Sequence, residues 1–392
     1  MEDIIEKTEK YVMHTYHRFP VCFDHGEGYY IYDINGKRYI DFLAGIAVNA
    51  LGYHVKPVIE AVDEQKEKLF HVSNLYYIKE QAELAELLVK NSCLDKVFFC
   101  NSGAEANEAA VKLARVYGGG ERPNIITMEG SFHGRTMTTL AATAQKKYHD
   151  GFRPLSPGFV YVPFNDMAAA DKAMDDSVCA LFIELVQGEG GINVAGHNYV
   201  KKLKKLCEER DVLFCVDEIQ SGMGRTGKLF AYEWYDIEPD IITLAKALGG
   251  GLPVGAMLAK EQVAECFKSG MHATTFGGSP FCTKVAKAHL DFLLSSNIID
   301  EVSKKGDYFK KGLQKLKRFP VVKDVRGMGL MLGMEMDSDS DSLRNFVLRA
   351  MDAGFLLGVA GENVIRFEPP LIIDYKSIDE LLVFLEKELV KM

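Results

Sequence analysis

The chain has 392 residues, enough for two or three domains, and its 47% hydrophobic and 26% charged content is that of a globular protein. A formal net charge of -9 argues against a nucleic-acid-binding protein, because such proteins need a surplus of cationic groups to displace counterions. No run reaches about eighteen apolar residues, the acidic start MEDIIEKTEK differs from a signal or transit peptide, and the eight cysteines form no CxxC pair, so we expect a cytoplasmic protein that does not enter a membrane.

Residues 1–50 contain one recognisable strand pair. The stretch EGYYIYDINGKRYIDF places strand-forming residues on both sides of Asn35-Gly36, a dipeptide typical of tight hairpin turns. We expect a hairpin here, and we assign residues 1–50 to an N-terminal segment that packs with a small C-terminal domain.

Residues 51–290 are expected to form a large α/β domain. Short apolar runs alternate with helical patterns, and runs that are apolar on both faces are typical of a mostly parallel sheet covered by helices. The predicted strands are KVFFC (96–100), NIITM (124–128), FVYV (159–162), ALFIELV (180–186), VLFCV (212–216), DIITL (240–244) and VGAMLA (254–259). Because ligands bind beyond the carboxyl ends of such strands, functional residues should directly follow these runs.

Residues 291–392 are expected to form a smaller α+β domain. Helical patterns surround a strand pair in DVRGMGLMLGMEM, and a final helix is predicted to begin at Ser377, which makes a capping box with Glu380. The acidic tract DSDSDS (337–342) resembles a calcium loop, but Ser342 and Leu348 stand where that loop needs glycine and glutamate. We therefore predict a solvated surface loop there and no metal site.

The stretch NSGAEANE follows the first predicted strand of the large domain and opens a helix. Free backbone N–H groups at a helix start, with the helix dipole behind them, form a ready site for a phosphate. Ser102, Gly103 and Ala104 would be that cradle. Ser102 also fits a simple helix cap, since Glu105 completes the S-x-x-E pattern.

The stretch VLFCVDEIQSGMGRTG places Asp217 at the carboxyl end of a strand. A carboxylate in this position is either a structural cap or the partner of a protonated ring nitrogen. The same stretch contains Gly222, Gly224 and Gly227 in GxGxxG spacing, which raises the alternative of an NAD-dependent dehydrogenase. That alternative needs a helix directly after the glycines and an acid about twenty residues further on, whereas KLFAYEWYDIEP follows instead.

The stretch IITLAKALGGG places Lys246 at the end of an apolar strand. A lysine here can simply extend into water. If the end of the strand is shielded from water, the pKa of the lysine would fall, which would make it a competent amine for Schiff-base formation. The glycines that follow would let the backbone pass close to a bound ring.

Together, SGAEANE, DEIQ and LAKALGGG supply groups for the phosphate, ring nitrogen and aldehyde of pyridoxal 5′-phosphate. In this order the motifs resemble the class III (ornithine/acetylornithine type) aminotransferases of pyridoxal-phosphate fold type I. The resemblance extends from GIAVNALGYHVKPVIEA to VIRFEPPLII. It implies a large domain with a mostly parallel seven-stranded sheet, a smaller α+β domain, and pyridoxal 5′-phosphate as cofactor. A third interpretation, a scaffold without catalytic activity, would need a broken motif, and none of the matched positions is broken.

The resemblance also implies roles for individual residues. Lys246 would bond to the cofactor aldehyde and then carry a proton, and Asp217 would pair with the ring nitrogen. Thr275 would reach the phosphate of the neighbouring subunit's cofactor, which implies a homodimer. The further cofactor-binding residues would be Gln220 on the phenolic oxygen, Phe132 stacked on the ring, and Ser102, Gly103, Ala104, Glu218 and Ile219.

For the substrates, the resemblance implies that Arg366 grips an α-carboxylate, that Glu189 covers this arginine when an ω-amine reacts, and that Arg135 and Thr274 also contact substrate. Members that act on ornithine carry a tyrosine at the position of Ile46, so the apolar Ile46 favours N-acetylornithine as donor and 2-oxoglutarate as acceptor. Ornithine, succinyl-diaminopimelate and 4-aminobutyrate remain alternative donors. Ala273 and Thr274 replace the usual glycine and serine and leave the acyl preference open, whereas Leu185 and GSPFC should alter packing only.

Overall fold

A computed structural model describes all residues, 1–392. Its seventeen strands are β1 (Phe23–Glu27), β2 (Tyr30–Asp33), β3 (Arg38–Asp41), β4 (Lys96–Cys100), β5 (Asn124–Met128), β6 (Phe159–Val162), β7 (Val178–Ile183), β8 (Val186–Gln187), β9 (Asn193–Val194), β10 (Leu213–Asp217), β11 (Ile241–Leu244), β12 (Gly255–Ala259), β13 (Val322–Met328), β14 (Met331–Met336), β15 (Phe355–Leu356), β16 (Gly358–Ala360) and β17 (Val364–Phe367).

The α-helices are α1 (Glu2–Tyr11), α2 (Ala44–Ala47), α3 (Lys56–Lys66), α4 (Lys79–Lys90), α5 (Gly103–Tyr117), α6 (Met137–Ala142), α7 (Lys146–His149), α8 (Met167–Ala173), α9 (His197–Glu209), α10 (Glu261–Ala264), α11 (Pro280–Ser295), α12 (Ile298–Lys315), α13 (Ser340–Asp352) and α14 (Tyr375–Leu389). Short 3₁₀ turns occupy Ala231–Tyr235, Lys246–Gly249 and Leu316–Arg318. No helix combines the length and the apolar composition needed to span a bilayer.

The central sheet has seven strands in the order β4-β12-β11-β10-β7-β5-β6. All neighbouring pairs are parallel except the two that involve β12. Every residue of β7 is buried, and its side chains divide between the two large core clusters. The predicted α/β class with a mostly parallel seven-stranded sheet is confirmed, because burial on both faces gave these strands continuous apolar runs.

Two smaller sheets lie outside the central one. The N-terminal strands β1, β2 and β3 form a meander, and β3 continues in parallel onto β15. The predicted hairpin at Asn35-Gly36 is therefore present, and it shares a sheet with the C-terminal part of the chain. The second small sheet has the order β13-β14-β17-β16. This pairing agrees with the division into residues 1–50, 51–290 and 291–392, and the division itself stays a prediction.

Two local predictions were wrong, both at helix starts. Helix α14 begins at Tyr375 and not at Ser377, because the Asp374 carboxylate accepts a hydrogen bond from the Ser377 N–H at 2.7 Å. In the acidic tract, Asp339 caps α13 in the same way through the N–H of Ser342, so residues 340–342 are helical and not a loop. In both cases an aspartate carboxylate accepts a hydrogen bond from a backbone N–H of the first helical turn, and this anionic acceptor favours a helix start at that point.

A close backbone contact between α12 and the turn after β13 generates a stability prediction. A Cβ atom on Gly306 would lie 2.2 Å from the carbonyl oxygen of Gly329, and this backbone cannot move without disturbing the strand pair. We expect Gly306→Ala to destabilise the fold by about 1–3 kcal/mol, which a lowered Tm in a calorimetric scan would report.

The matched control is Gly312→Ala in the same helix. Its Cβ would meet only methyl groups of the Leu382 side chain, which can adopt another rotamer, and alanine itself favours a helix. We expect Tm to change little. Equal losses of Tm in the two variants would contradict the backbone-contact argument.

Candidate active site

A cavity of about 540 Å³ opens beyond the carboxyl ends of the central strands. Asp217 ends β10, Lys246 follows β11 and Ser102 follows β4, so the parallel strand directions bring residues from distant parts of the sequence to one edge. The predicted site residues that line the cavity are Ser102, Gly103, Ala104, Phe132, Arg135, Glu189, Asp217, Ile219, Gln220 and Lys246.

The Lys246 amine lies inside this cavity and makes no hydrogen bond or ion pair within the chain. Burial holds the pKa of Lys246 below its ordinary value, although the negative charges of Glu368 and Glu189 oppose this effect. The residue also has a left-handed backbone (φ 46°), an uncommon conformation for a side chain with a Cβ. Strained backbone of this kind is typical of functional positions.

The Asp217 carboxylate is buried and held by three donors. Its Oδ2 accepts from Asn107 Nδ2 at 2.9 Å and lies 2.8 Å from His133 Nδ1, and its Oδ1 accepts from the Ile219 N–H at 3.0 Å. These contacts fix the direction in which the carboxylate faces the cavity. Sequence analysis missed both Asn107 and His133. Their signals were an asparagine on the buried face of α5 and a histidine inside SFHGRT, beside a predicted site residue.

The start of α5, from Ser102 to Ala104, is packed closely against its surroundings. Ser102 is the N-cap of the fifteen-residue helix α5, and its hydroxyl accepts from the Glu105 N–H at 3.2 Å. A Cβ on Gly103 would lie 2.7 Å from the tip of the Ile219 side chain, so a larger residue here would have to displace that side chain. Ser102 therefore caps the helix, as the S-x-x-E pattern predicted. The helix start also faces the cavity, as a phosphate site would require.

Phe132 and Arg135 lie together on one wall of the cavity. The Arg135 guanidinium is 5.5 Å from the centre of the Phe132 ring and 4.1 Å from that of Tyr148, distances typical of cation–π contacts. The Phe132 N–H donates to the buried Glu184 carboxylate at 2.8 Å. Burial, and then the charge of Asp217, raises the pKa of Glu184 well above its usual range. Sequence analysis did not single out Glu184.

Arg366 lies behind the cavity lining and is almost fully buried. Its guanidinium forms an ion pair with Glu189, which lines the cavity, and a second one with Glu368, whose Oε2 is 3.5 Å from Nε. Burial alone would lower the pKa of Arg366, but the charges of these two carboxylates outweigh it and raise the pKa. The structure thus brings together Glu189 and Arg366, as the resemblance implied, and adds Glu368.

Besides Arg366, three predicted residues do not line this cavity. The Glu218 carboxylate is directed away and accepts from the N–H groups of Ala231 and Tyr232, so its side chain holds a turn and the expected cofactor contact is not supported. Thr274 and Thr275 line a second cavity of about 550 Å³. Asn101 lines both cavities, which places the two side by side.

The chemistry of the lining fits pyridoxal 5′-phosphate. An unpaired amine, a fixed carboxylate and a helix start occupy separate parts of the wall, as the aldehyde, ring nitrogen and phosphate require. The buried Nε2 of Gln220 has no hydrogen-bond partner within the chain and lines the same cavity, so a donor remains free for a polar group of the cofactor.

The sequence model for aminotransferase class III matches residues 11–389. The chain belongs to the class III aminotransferases. Members of this family depend on pyridoxal 5′-phosphate, so this cofactor and an aminotransferase activity apply to the present chain. The NAD-dependent dehydrogenase alternative is wrong, since Gly222, Gly224 and Gly227 lie in successive turns and open no helix.

The relatives cover nearly the whole chain. The acetylornithine aminotransferases of Caldanaerobacter subterraneus subsp. tengcongensis and Methanocaldococcus jannaschii are 50% and 47% identical to it, and each comparison covers 98% of both proteins. Among solved structures, the ornithine aminotransferase of Toxoplasma gondii matches with a TM-score of 0.95 and 32% identity, over 100% of this chain and 95% of that one. The acetylornithine aminotransferase of Elizabethkingia anophelis matches with a TM-score of 0.89 and 33% identity, over 100% and 99%.

The lowered pKa of Lys246 generates a prediction for the cofactor-free protein. Only the neutral amine reacts with acetic anhydride, so Lys246 should become reactive at a lower pH than the exposed Lys56 of the same molecule. Peptide mass spectrometry after competitive labelling across a pH series gives both midpoints. Coincident midpoints would contradict the argument from burial.

Proposed function

We propose that this enzyme transfers the δ-amino group of N-acetylornithine to 2-oxoglutarate, which yields N-acetylglutamate 5-semialdehyde and glutamate. The observation that carries the proposal is the Glu189–Arg366 ion pair beside Lys246. When the Glu189 carboxylate leaves, the Arg366 guanidinium can bind a carboxylate of a diacid. When Glu189 stays paired with it, the site can accept an ω-amino donor. The printed names of the curated relatives support N-acetylornithine as the donor.

The residues around the cavity would divide the work of holding the cofactor. When bound, pyridoxal phosphate supplies an aldehyde carbon for the amino group and a ring that withdraws electrons. In this proposal Asp217 keeps the ring nitrogen protonated, Gln220 donates to the phenolic oxygen, and Phe132 stacks on the ring. The N–H groups of residues 102–104 bind the phosphate at the start of α5.

Lys246 is the proposed catalytic base. Its lowered pKa leaves more of the amine neutral near pH 7, in the state that can take a proton from the δ-carbon of the donor. The same amine then gives this proton up again later in the amino transfer, so one side chain serves first as base and then as acid. Asn107 and His133 keep the Asp217 carboxylate in position throughout.

The two substrates would use the arginines differently. Arg135 lies on the cavity wall and binds the α-carboxylate of N-acetylornithine, whose reacting amine is at the other end of the molecule. For 2-oxoglutarate, Glu189 moves off Arg366, and the freed guanidinium binds the α-carboxylate while Arg135 binds the distal one. Thr274 is proposed as a further substrate contact.

The proposed preference for an acylated donor depends on Ile46. This residue lies in α2, is partly exposed, and precedes Val48, which lines the cavity. An apolar side chain here offers no partner to a free α-amine and suits an acetylated one. Ornithine, succinyl-diaminopimelate and 4-aminobutyrate are the alternative donors.

We also propose a cytoplasmic homodimer in which Thr275 of each subunit reaches the phosphate of the other subunit's cofactor. Thr275 is exposed in the single chain and lines the second cavity, next to the first. The eight free thiols, four of them buried, agree with a reducing compartment.

The proposal predicts the order of donors. We expect the kcat/KM for N-acetylornithine to exceed those for ornithine and 4-aminobutyrate by about tenfold or more, because kcat/KM compares transition-state binding directly. Succinyl-diaminopimelate tests the size of the acyl pocket. If ornithine or 4-aminobutyrate gave the highest kcat/KM, the proposed donor would be wrong and the aminotransferase assignment would stand.

A second prediction concerns Glu189. Glu189→Ala should lower kcat/KM for N-acetylornithine about tenfold or more, because Arg366 then presents an uncovered charge near the incoming amine, and should leave kcat/KM for 2-oxoglutarate unchanged or higher. Glu362→Ala, which removes an exposed carboxylate from the same region, is the control. Equal losses of kcat/KM for both substrates in Glu189→Ala would contradict the proposal that Glu189 leaves Arg366 when 2-oxoglutarate binds.

A further inference from the structure

Arg366 is flanked by two carboxylates that differ in their exposure to the cavity. Glu189 lies at the cavity wall with 24% of its side chain exposed, whereas the side chain of Glu368 is fully buried. The proposed exchange of substrates uses only Glu189. The second carboxylate therefore has no role in the mechanism so far, although a buried charge is costly to retain.

The backbone around Glu368 leaves it no freedom to move. Its N–H donates to the Phe42 carbonyl at 2.8 Å, and it is followed by Pro369 and Pro370. Neither carboxylate oxygen accepts a hydrogen bond within the chain, so its charge is balanced by nearby cations alone. These are Arg366 at 3.5 Å and the buried Arg225, which donates to the Pro369 carbonyl. Lys246 is a third, since the charge of Glu368 opposes the lowering of its pKa.

Glu189, in contrast, is placed to move. It lies in the loop between β8 and β9 with Gly188 before it and two glycines after it. Its side chain faces the cavity and can rotate into that space. When it leaves, Arg366 keeps its charge in a buried position before any substrate carboxylate has arrived, a state that would be strongly unfavourable without another anion nearby.

We propose that Glu368 is the permanent counter-ion of Arg366, which lowers the free energy of the state that Glu189 has left and so sets the rate at which substrate carboxylates reach this arginine. Glu368 touches no substrate in this scheme and is a positioning residue. The inference rests on the proposed function in one respect, that Arg366 binds a substrate carboxylate. The amino donor uses the state in which Glu189 stays on Arg366, so it should not depend on Glu368 in this way.

The test is a double-mutant cycle on the holoenzyme with glutarate, a five-carbon diacid that lacks the reacting carbonyl. Stopped-flow measurements would give the rate constant for glutarate association with the native enzyme, Glu368→Gln, Glu189→Ala and the double variant. Glu368→Gln should bind glutarate about tenfold more slowly, because the uncovered state through which glutarate binds loses its remaining counter-ion. In the Glu189→Ala background Glu189 does not have to leave, so adding Glu368→Gln should then change this rate constant little.

Steady-state kinetics give a second readout. Glu368→Gln should lower kcat/KM for 2-oxoglutarate more than kcat/KM for the amino donor. Both half-reactions use Lys246, whose pKa the charge of Glu368 raises, but only 2-oxoglutarate needs Glu189 to leave Arg366. Glu388→Gln is the matched control, since it also removes a nearly buried carboxylate that pairs with basic side chains, at a place remote from the cavity. It should change neither the rate of glutarate association nor either value of kcat/KM.

An equal effect of Glu368→Gln with and without Glu189 would overturn the inference, because it would mean that Glu368 acts only on the packing of Arg366. An unchanged rate of glutarate association in Glu368→Gln would overturn it as well. If Arg366→Met itself binds glutarate normally, the proposed role of Arg366 fails, and with it the premise. If Arg366→Met loses glutarate binding but Glu189 and Glu368 show no coupling, the inference about Glu368 is wrong and the proposed role of Arg366 stands.

Glu368→Gln leaves two buried arginines with one carboxylate fewer and can fail to fold. In that case the same cycle is measured in a background that carries Arg225→Met together with Glu368→Gln, which restores the balance of buried charge. The expected coupling with Glu189→Ala is the same, and its absence there overturns the inference.

Discussion

The desolvated amine of Lys246 is the feature on which the rest of the site depends. An ordinary lysine is protonated near pH 7 and cannot act as a nucleophile or base, and burial at the end of β11 is what lowers its pKa. That burial needs a sheet covered on both faces and a chain that turns sharply after the strand, which the left-handed backbone at Lys246 provides. The stability of the large core thus supports a locally unfavourable arrangement.

A buried amine requires its neighbours to have balanced charges. Carboxylates from three parts of the chain surround it, at Asp217, Glu189 and Glu368, and they oppose the effect of desolvation without cancelling it. Arg366 and Arg225 in turn keep those carboxylates from repelling each other in a medium of low dielectric. The cavity is therefore a charge network whose members cannot be changed singly, and double-mutant cycles are the suitable way to separate their contributions.

Much of the fold could be predicted because burial leaves a regular mark on sequence. The runs NIITM, VLFCV and DIITL correspond closely to β5, β10 and β11, since strands buried on both faces need apolar residues at nearly every position. Helix starts were harder to predict, because Asp374 and Ser377 are both suitable caps and only the folded chain decides between them. In the structure the Asp374 carboxylate accepts from the N–H of Ser377, so the helix begins earlier. The antiparallel direction of β12 was likewise invisible, since an apolar run carries no sign of strand direction.

The sequence alone determined which reactive side chains follow which strands, and hence that an amine, an acid and a helix start would meet at one edge of a parallel sheet. Only the tertiary structure decided how these groups are held. Asn107 and His133 reach Asp217 across 110 and 84 residues, and Glu189 and Arg366 meet across 177. Periodicity records the local environment of a residue, whereas such contacts arise from the packing of distant segments, which no local pattern encodes.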